Sequence, residues 1–79
     1  MKRLKEVRQT LGKTQKEMAE ALGVSLRAYQ MYEEGKRKLP PEKMQLLAEL
    51  FKVNLHWLLT GEGEPFLTPP VKKKTLTKV

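Results

Sequence analysis

Glycine residues divide most of this chain into short segments of similar length. Each of four glycines follows a stretch in which apolar residues recur at helical spacing: Gly12, Gly23, Gly35 and Gly61. A glycine in this position is typical of a helix end, because it readily adopts the left-handed conformation that closes the last turn. Before the C-terminal residues no alternating run rich in Val, Ile and Thr indicates a strand. The body of the chain is therefore predicted to be all-α.

Polar residues at the starts of these segments predict where the helices begin. The run from Thr14 to Glu17 matches a capping box, in which the Thr14 hydroxyl and the Glu17 carboxylate satisfy backbone N–H groups reciprocally. Ser25 and Asn54 are suitable N-caps, and prolines are compatible with the start of the fourth helix. We predict five helices, over residues 2–11, 14–23, 25–34, 41–52 and 54–61. Their predicted core residues include Leu4, Val7, Leu11, Met18, Ala19, Leu22, Met44, Leu47, Ala48 and Phe51.

The composition changes after Gly61. Residues 62–79 contain Gly63, three prolines and a run of three lysines, Lys72, Lys73 and Lys74. Such a segment has little capacity to form a packed core. We predict one domain over residues 1–61 and a flexible basic tail over residues 62–79. The alternative is that Phe66 and Leu67 dock on the body.

Length and composition exclude several classes of function. The chain has 79 residues, no Cys, no Asp, a single Ser and a single His. Neither a Ser-His-Asp triad nor a site with two imidazole ligands can be assembled from these residues, so we predict no enzyme, metal or cofactor. The net charge of +7 favours a polyanionic partner. No apolar run approaches the roughly 20 residues that cross a bilayer, and we expect a soluble cytoplasmic protein associated with the nucleoid.

The second and third helices, joined by a very short turn, have the components of a helix-turn-helix. The run from Thr14 to Ser25 resembles the phage repressor/Cro (Xre-type) helix-turn-helix family. The similarity continues through residues 32–35, Pro40, residues 47–48 and residues 53–61, so it covers about residues 2 to 61. It implies a five-helix, repressor-like bundle in which Tyr29 and Tyr32 lie in the core.

The resemblance implies sequence-specific binding to double-stranded DNA, with the third helix in the major groove. Arg27 lies in the first turn of that helix, where a guanidinium fork reaches base edges and pairs with guanine. Leu26 is suited to a thymine methyl group, and Ala28 permits close approach. Gln15 is expected to bind a phosphate and is also a candidate to brace the recognition helix. The predicted DNA-binding residues are Gln15, Ser25, Leu26, Arg27, Ala28, Gln30, Met31, Lys36, Arg37 and Lys38.

Two further expectations come from the same resemblance. Glu33 is expected to form a structural ion pair with Arg8. The region of the fifth helix is expected to form the two-fold contact of a homodimer, with Leu55, Trp57 and Leu59 at the interface.

The sequence departs from the family at three positions. Lys52 stands near a position where the family usually has glycine, so the fourth helix is expected to end with a different C-cap. Leu26 and Met31 replace polar residues that are common among base-reading proteins, which leaves the operator sequence open.

The leading interpretation is a transcriptional regulator, a repressor that binds a palindromic operator as a homodimer. One alternative is an antitoxin-type module that binds a protein partner and also its own promoter. A membrane-surface binder that uses Lys72, Lys73 and Lys74 is a weaker alternative, because no amphipathic helix or lipidation motif adjoins that run.

Overall fold

The computed structural model describes residues 1–68, and this part of the chain forms five α-helices. They are α1 (Lys2–Leu11), α2 (Gln15–Leu22), α3 (Leu26–Glu34), α4 (Pro41–Phe51) and α5 (Leu55–Thr60). These bounds differ from the predicted ones by a residue or so at each end, and they confirm the all-α, five-helix class.

Side chains cap three of the five helices at their first turns. The Thr14 hydroxyl accepts from the backbone N–H of Glu17 at 3.0 Å, and the Glu17 carboxylate accepts from the backbone N–H of Thr14 at 2.8 Å. The Ser25 hydroxyl accepts from the backbone N–H of Ala28 at 3.0 Å, which begins α3. The Asn54 side chain caps α5 in a similar way. These short-range bonds are the ones that the sequence predicts.

The end of α4 shows how the chain replaces a glycine cap. Four of the five helices end on a glycine in the left-handed conformation, whereas α4 ends on Lys52 with a φ of 61°. The Lys52 N–H still bonds to the carbonyl of Ala48 at 3.0 Å. The end of α4 is therefore formed as in the glycine-capped helices, with the backbone strain that a side chain adds in that conformation.

One apolar core joins all five helices. It takes two residues from each of α1, α3 and α5, three from α2 and one from α4, with loop residues closing its edges. The buried apolar residues are Leu4, Val7, Met18, Ala19, Leu22, Tyr29, Tyr32, Leu39, Leu47, Val53, Trp57, Leu58 and Phe66. Leu11, Met44, Ala48 and Phe51, also predicted as core, are only partly buried.

The segment after α5 lies against the body, which corrects the predicted start of a flexible tail at residue 62. The Asn54 N–H donates to the carbonyl of Pro65 at 2.8 Å, and the Leu67 N–H donates to the carbonyl of Lys52 at 2.8 Å. These bonds place Phe66 in the core, at 9% exposure, while Leu67 stays 66% exposed. The alternative of a docking role is thus correct for Phe66.

The lysine run of the membrane-surface alternative, residues 72–74, lies outside the described residues. Within residues 1–68, none of the helices combines the length and apolar character that crossing a bilayer requires.

Candidate nucleic-acid interface

A tight turn fixes α3 relative to α2. Gly23 adopts a φ of 70° and its N–H bonds to the carbonyl of Glu20 at 3.2 Å. The next N–H, that of Val24, bonds to the carbonyl of Ala19 at 3.0 Å, and Ser25 then begins α3. Ala19 is only 2% exposed, so its small side chain allows the two helices to approach closely. The result is two helices joined by three residues.

The inner side of α3, formed by Tyr29, Tyr32 and Glu33, faces the body. Tyr29 is fully buried and Tyr32 is 5% exposed, as the resemblance implies. The Tyr29 hydroxyl donates to the Glu33 carboxylate at 2.6 Å. Both aromatic rings therefore anchor α3 to the core, and one of them also holds a charged group in position.

The Glu33 carboxylate is the centre of a polar network that joins three helices. Arg8 of α1 contacts it through Nε at 2.6 Å and Nη2 at 3.4 Å, so the two residues that the resemblance pairs are in contact. Gln15 of α2 donates to it from Nε2 at 3.0 Å. Gln30 joins the network by donating from Nε2 to the Gln15 side-chain oxygen at 3.2 Å. We call Glu33, Arg8, Gln15, Tyr29 and Gln30 the Glu33 network.

The hydrogen bonds of this network determine its charge state. Burial alone would raise the pKa of the Glu33 carboxyl, whose side chain is 5% exposed. The hydrogen bonds from Arg8, Tyr29 and Gln15 outweigh burial and hold that pKa below its usual value. Burial and the bond to Glu33 raise the pKa of the Tyr29 hydroxyl, and the bond to Glu33 also raises the pKa of Arg8. At neutral pH the network therefore contains a carboxylate, a guanidinium and a neutral phenol.

Gln15 has the bracing role that was one of its two expected roles. Its side chain belongs to the Glu33 network, so it braces α3. Gln15 also lines a depression of about 650 Å³ beside the first turn of α2, together with Lys5, Lys13 and Thr14. Backbone N–H groups at a helix start favour anions. Three basic residues of the depression, Lys5, Arg8 and Lys13, outnumber its two glutamates, Glu33 and Glu34.

The outer side of α3, formed by Leu26, Arg27 and Met31, faces away from the core. Leu26 is 43% exposed, Arg27 is exposed and Met31 is half-buried. Within residues 1–68, the Arg27 side chain has no ion-pair or hydrogen-bond partner. A ligand approaching from outside meets this apolar and cationic surface first. Of the other predicted contacts on α3, Ser25 is exposed, and Ala28 and Gln30 are half-buried.

Charged residues continue this surface past the end of α3. Lys36, Arg37 and Lys38 are all exposed in the loop that leads to α4. Lys36 Nζ lies 3.7 Å from a carboxylate oxygen of Glu34, an exposed pair that contributes little to stability. Sequence reasoning overlooked Glu34, although it follows Arg27 and Met31 at helical spacing. It lines a depression of about 180 Å³ on this surface with Arg27, Gln30, Met31 and Lys36.

The three residues predicted at a dimer interface have different environments. Leu59 is 56% exposed and Leu55 is half-buried. Trp57 is only 6% exposed and belongs to the core of the monomer, because α5 turns its ring inward. The exposed apolar surface of α5 therefore consists chiefly of Leu59.

A family model described as a helix-turn-helix domain matches residues 1–64. The chain belongs to the helix-turn-helix family. This finding confirms the identification based on the run from Thr14 to Ser25, and the match ends close to the segment that seats Phe66.

Several curated proteins resemble this helix-turn-helix chain. An uncharacterized HTH-type transcriptional regulator of Bacillus subtilis, YobD, is 31% identical over 74 residues, which cover 94% of this chain and 64% of the relative. The HTH-type transcriptional regulators for conjugative elements SXT of Vibrio cholerae and pMERPH of Shewanella putrefaciens are each 39% identical over 62 residues. These alignments cover 78% of this chain but 28% of each relative. The chain thus spans less than two thirds of these relatives, and no solved structure matches it.

Sequence reasoning also missed how α1 supports the helix-turn-helix. Arg3 donates to the carbonyls of Leu58 and Leu59 at 2.9 and 3.3 Å, at the end of α5. The nitrogen of Met1 donates to the carbonyls of Tyr32 and Glu33 at 2.7 and 2.6 Å, at the end of α3. No local motif indicates these bonds, because each joins residues more than 30 positions apart.

Proposed function

We propose that this protein binds double-stranded DNA with α3 lying in the major groove. The observation that supports this most directly is the contrast in exposure on α3. Its inner side is bonded into the body, while Leu26 and Arg27 in its first turn are exposed. The N-terminal residues of a recognition helix are the ones that contact base edges.

Arg27 and Leu26 supply the direct reading of bases. Arg27 pairs bidentately with O6 and N7 of a guanine, and Leu26 packs on a thymine methyl group. Met31 extends the apolar contact one turn further along α3. Ala28, which is small and half-buried, keeps the helix close to the groove floor.

Backbone contacts flank this reading surface. Lys36, Arg37 and Lys38 neutralise phosphates on one side of the groove. The first turn of α2, with Gln15, and the Ser25 end of α3 receive phosphates on the other side through backbone N–H groups. These contacts set the register of α3 and supply much of the affinity, and they discriminate little between sequences.

We further propose that the protein is a transcriptional regulator that acts as a repressor in the cytoplasm. The relatives described above bear the name of transcriptional regulators. A protein whose recognition helix fills the major groove competes for DNA with the transcription machinery, which is the simplest route to repression.

The proposed active form is a homodimer that reads a palindromic operator. Leu59 is 56% exposed and lines a depression of about 380 Å³ with Met1, Tyr32, Leu39 and Met44, which Arg37 and Lys38 also border. A second copy related by a two-fold axis would cover Leu59 and part of Leu55. Two recognition helices would then meet half-sites about 10 base pairs apart, centre to centre.

Selection of binding sites from a pool of random duplexes tests the proposal. The protein should enrich a symmetric motif with that half-site spacing. The matched control is a Leu26→Glu, Arg27→Glu variant, which places two carboxylates on the outer side and leaves the Glu33 network intact. The variant should fold but enrich no sequence motif. If both proteins enriched the same motif equally, α3 would not be part of the DNA interface.

Sedimentation equilibrium tests the dimer separately. The wild-type protein should associate with increasing concentration, and Leu59→Glu should remain a monomer because a carboxylate there opposes burial. A wild-type protein that remains a monomer when bound to its selected duplex would contradict the two-fold arrangement and leave the major-groove contact standing.

A further inference from the structure

We infer that Glu33 determines which way the side-chain amide of Gln30 points toward a base, with Gln15 as the connecting residue. This inference deepens the proposed DNA-binding function and rests on it. Glu33 and Gln15 are thereby positioning residues, and Gln30 becomes a specificity-determining residue. The basis is the direction of each hydrogen bond in the Glu33 network.

The first step is the orientation of the Gln15 amide. An ionised carboxylate only accepts hydrogen bonds, so its neighbour must present a donor. Gln15 does so, with Nε2 at 3.0 Å from Glu33 Oε1. Rotating the Gln15 amide by half a turn would bring its oxygen against that carboxylate oxygen, with two acceptors facing each other. The Glu33 carboxylate is held in place by Arg8 and Tyr29, so it does not turn to accommodate the rotation.

The second step passes this orientation to α3. With its nitrogen toward Glu33, Gln15 presents Oε1 to Gln30, and an oxygen accepts but does not donate. Gln30 Nε2 donates to that oxygen at 3.2 Å. The direction of the Gln30 amide is thus determined by a carboxylate that Gln30 does not touch.

The third step concerns what Gln30 then offers to DNA. One N–H of its amide is engaged with Gln15, which leaves Oε1 and the second N–H. Gln30 lines the depression on the outer surface beside Arg27 and Met31, within the proposed reading surface. An acceptor next to a donor matches N6–H and N7 of adenine, the pair of groups that glutamine recognises in the major groove. The predicted ligand is therefore an adenine one turn along α3 from the base that Arg27 reads.

The experiment uses the duplex enriched by the wild-type protein and a set of single base-pair replacements in it. Gln30→Met should lose discrimination at one A·T pair by about tenfold, the typical effect of one bidentate contact. Gln15→Met keeps the length of the side chain but removes both hydrogen bonds. It should lose the same discrimination at the same pair, and the double variant should lose no more.

A second variant tests the role of the carboxylate. Glu33→Gln replaces an acceptor with a group that both donates and accepts, so the Gln15 amide is free to adopt either orientation. It should reduce discrimination at that A·T pair while circular dichroism shows a folded protein. Gln45→Met is the matched control, because Gln45 is exposed on α4 and bonds only to Glu49, at 3.2 Å. It should leave every duplex affinity unchanged.

The outcomes separate the inference from the function on which it rests. If Gln15→Met weakens binding to all duplexes by one factor and keeps the discrimination, the Gln15 side chain contributes only to phosphate binding and the inference is wrong. Additive losses in the double variant would also overturn it. A wild-type protein that enriches no motif overturns the DNA-binding proposal together with the inference, whereas a motif insensitive to Gln30 overturns the inference alone.

Discussion

The two sides of α3 differ more than any other pair of surfaces on this small domain. On the inner side, Tyr29 is fully buried and the Glu33 side chain is 5% exposed, with hydrogen bonds to three other side chains. On the outer side Leu26 is 43% exposed, and Arg27 is exposed without a partner within residues 1–68. One side of this nine-residue helix is thus hydrogen-bonded to the rest of the domain, and its other side is exposed.

This contrast assigns the stability of the fold to the inner side of α3 and DNA binding to its outer side. The inner side ties α3 to α1 and α2 before any ligand arrives, so binding does not need to order the helix. Preorganisation of this kind reduces the entropic cost of association. We therefore expect substitutions that remove inner-side groups to act chiefly on folding, and substitutions on the outer side to act on DNA affinity with little effect on folding.

The largest expected effect is that of Glu33→Ala. It removes the shared acceptor of Arg8, Gln15 and Tyr29 and leaves a partly buried guanidinium without its carboxylate. Leaving a partly buried charged group and two further donors unpaired costs about 3 kcal/mol. Urea denaturation followed by circular dichroism should show a loss of this size in the free energy of unfolding.

The neighbouring residue supplies the control for this comparison. Glu34 is exposed, and within residues 1–68 its carboxylate pairs only with Lys36, at 3.7 Å. Glu34→Ala should change the free energy of unfolding by no more than about 0.5 kcal/mol, as is usual at the surface. Equal losses for the two glutamates would mean that the inner side does not anchor α3.

On the outer side, the largest expected effect is that of Arg27→Ala on DNA binding. Losing a bidentate contact to guanine should cost about 1–3 kcal/mol of binding free energy and relax discrimination at one base pair. Fluorescence anisotropy with the selected duplex and with a random duplex measures both quantities. The free energy of unfolding should not change, and an equal loss on both duplexes would make Arg27 a phosphate contact.

Acid should weaken the contribution of Glu33 to the inner side of α3. Because the pKa of Glu33 is lowered in the folded protein, the unfolded chain binds a proton more readily there. Its contribution to stability is complete above the unfolded pKa of about 4.3 and is lost as pH falls through the folded pKa. The urea midpoint of the wild-type protein should fall in that range. The difference between wild type and Glu33→Gln should shrink in the same range, and a constant difference would contradict the lowered pKa.

Sequence reasoning succeeded where the interactions are local. The caps at Thr14 and Ser25 join residues three positions apart, so a short motif contains both partners. The family resemblance places Tyr29 and Tyr32 in the core, and helix geometry then leaves Leu26 and Arg27 outside.

The missed features depend on the assembled fold. Gln15 and Gln30 are 15 positions apart, and Arg3 and Leu58 are 55 apart, so their contacts exist only once the helices have packed. Phe66 was assigned to a tail because its neighbours are glycines, prolines and acids. The sequence indicates burial of Phe66 only because it is an aromatic residue in a mostly polar segment. This does not indicate which part of the fold it packs against.

The smallest expected effect concerns the loop that follows α3, and it divides the outer surface into base and phosphate contacts. Arg37 is exposed and lies beyond the helix, where it meets the DNA backbone in the proposed complex. Arg37→Gln should weaken binding to selected and random duplexes by the same factor. It should also reduce the slope of log affinity against log salt by about 0.9, because one phosphate fewer releases its counterion. Lys52→Asn removes the same charge at the end of α4, and asparagine tolerates the left-handed conformation found there, so its slope should match that of the wild-type protein. If Arg37→Gln kept the wild-type slope, the loop would lie outside the interface and the outer side of α3 alone would have to account for the affinity.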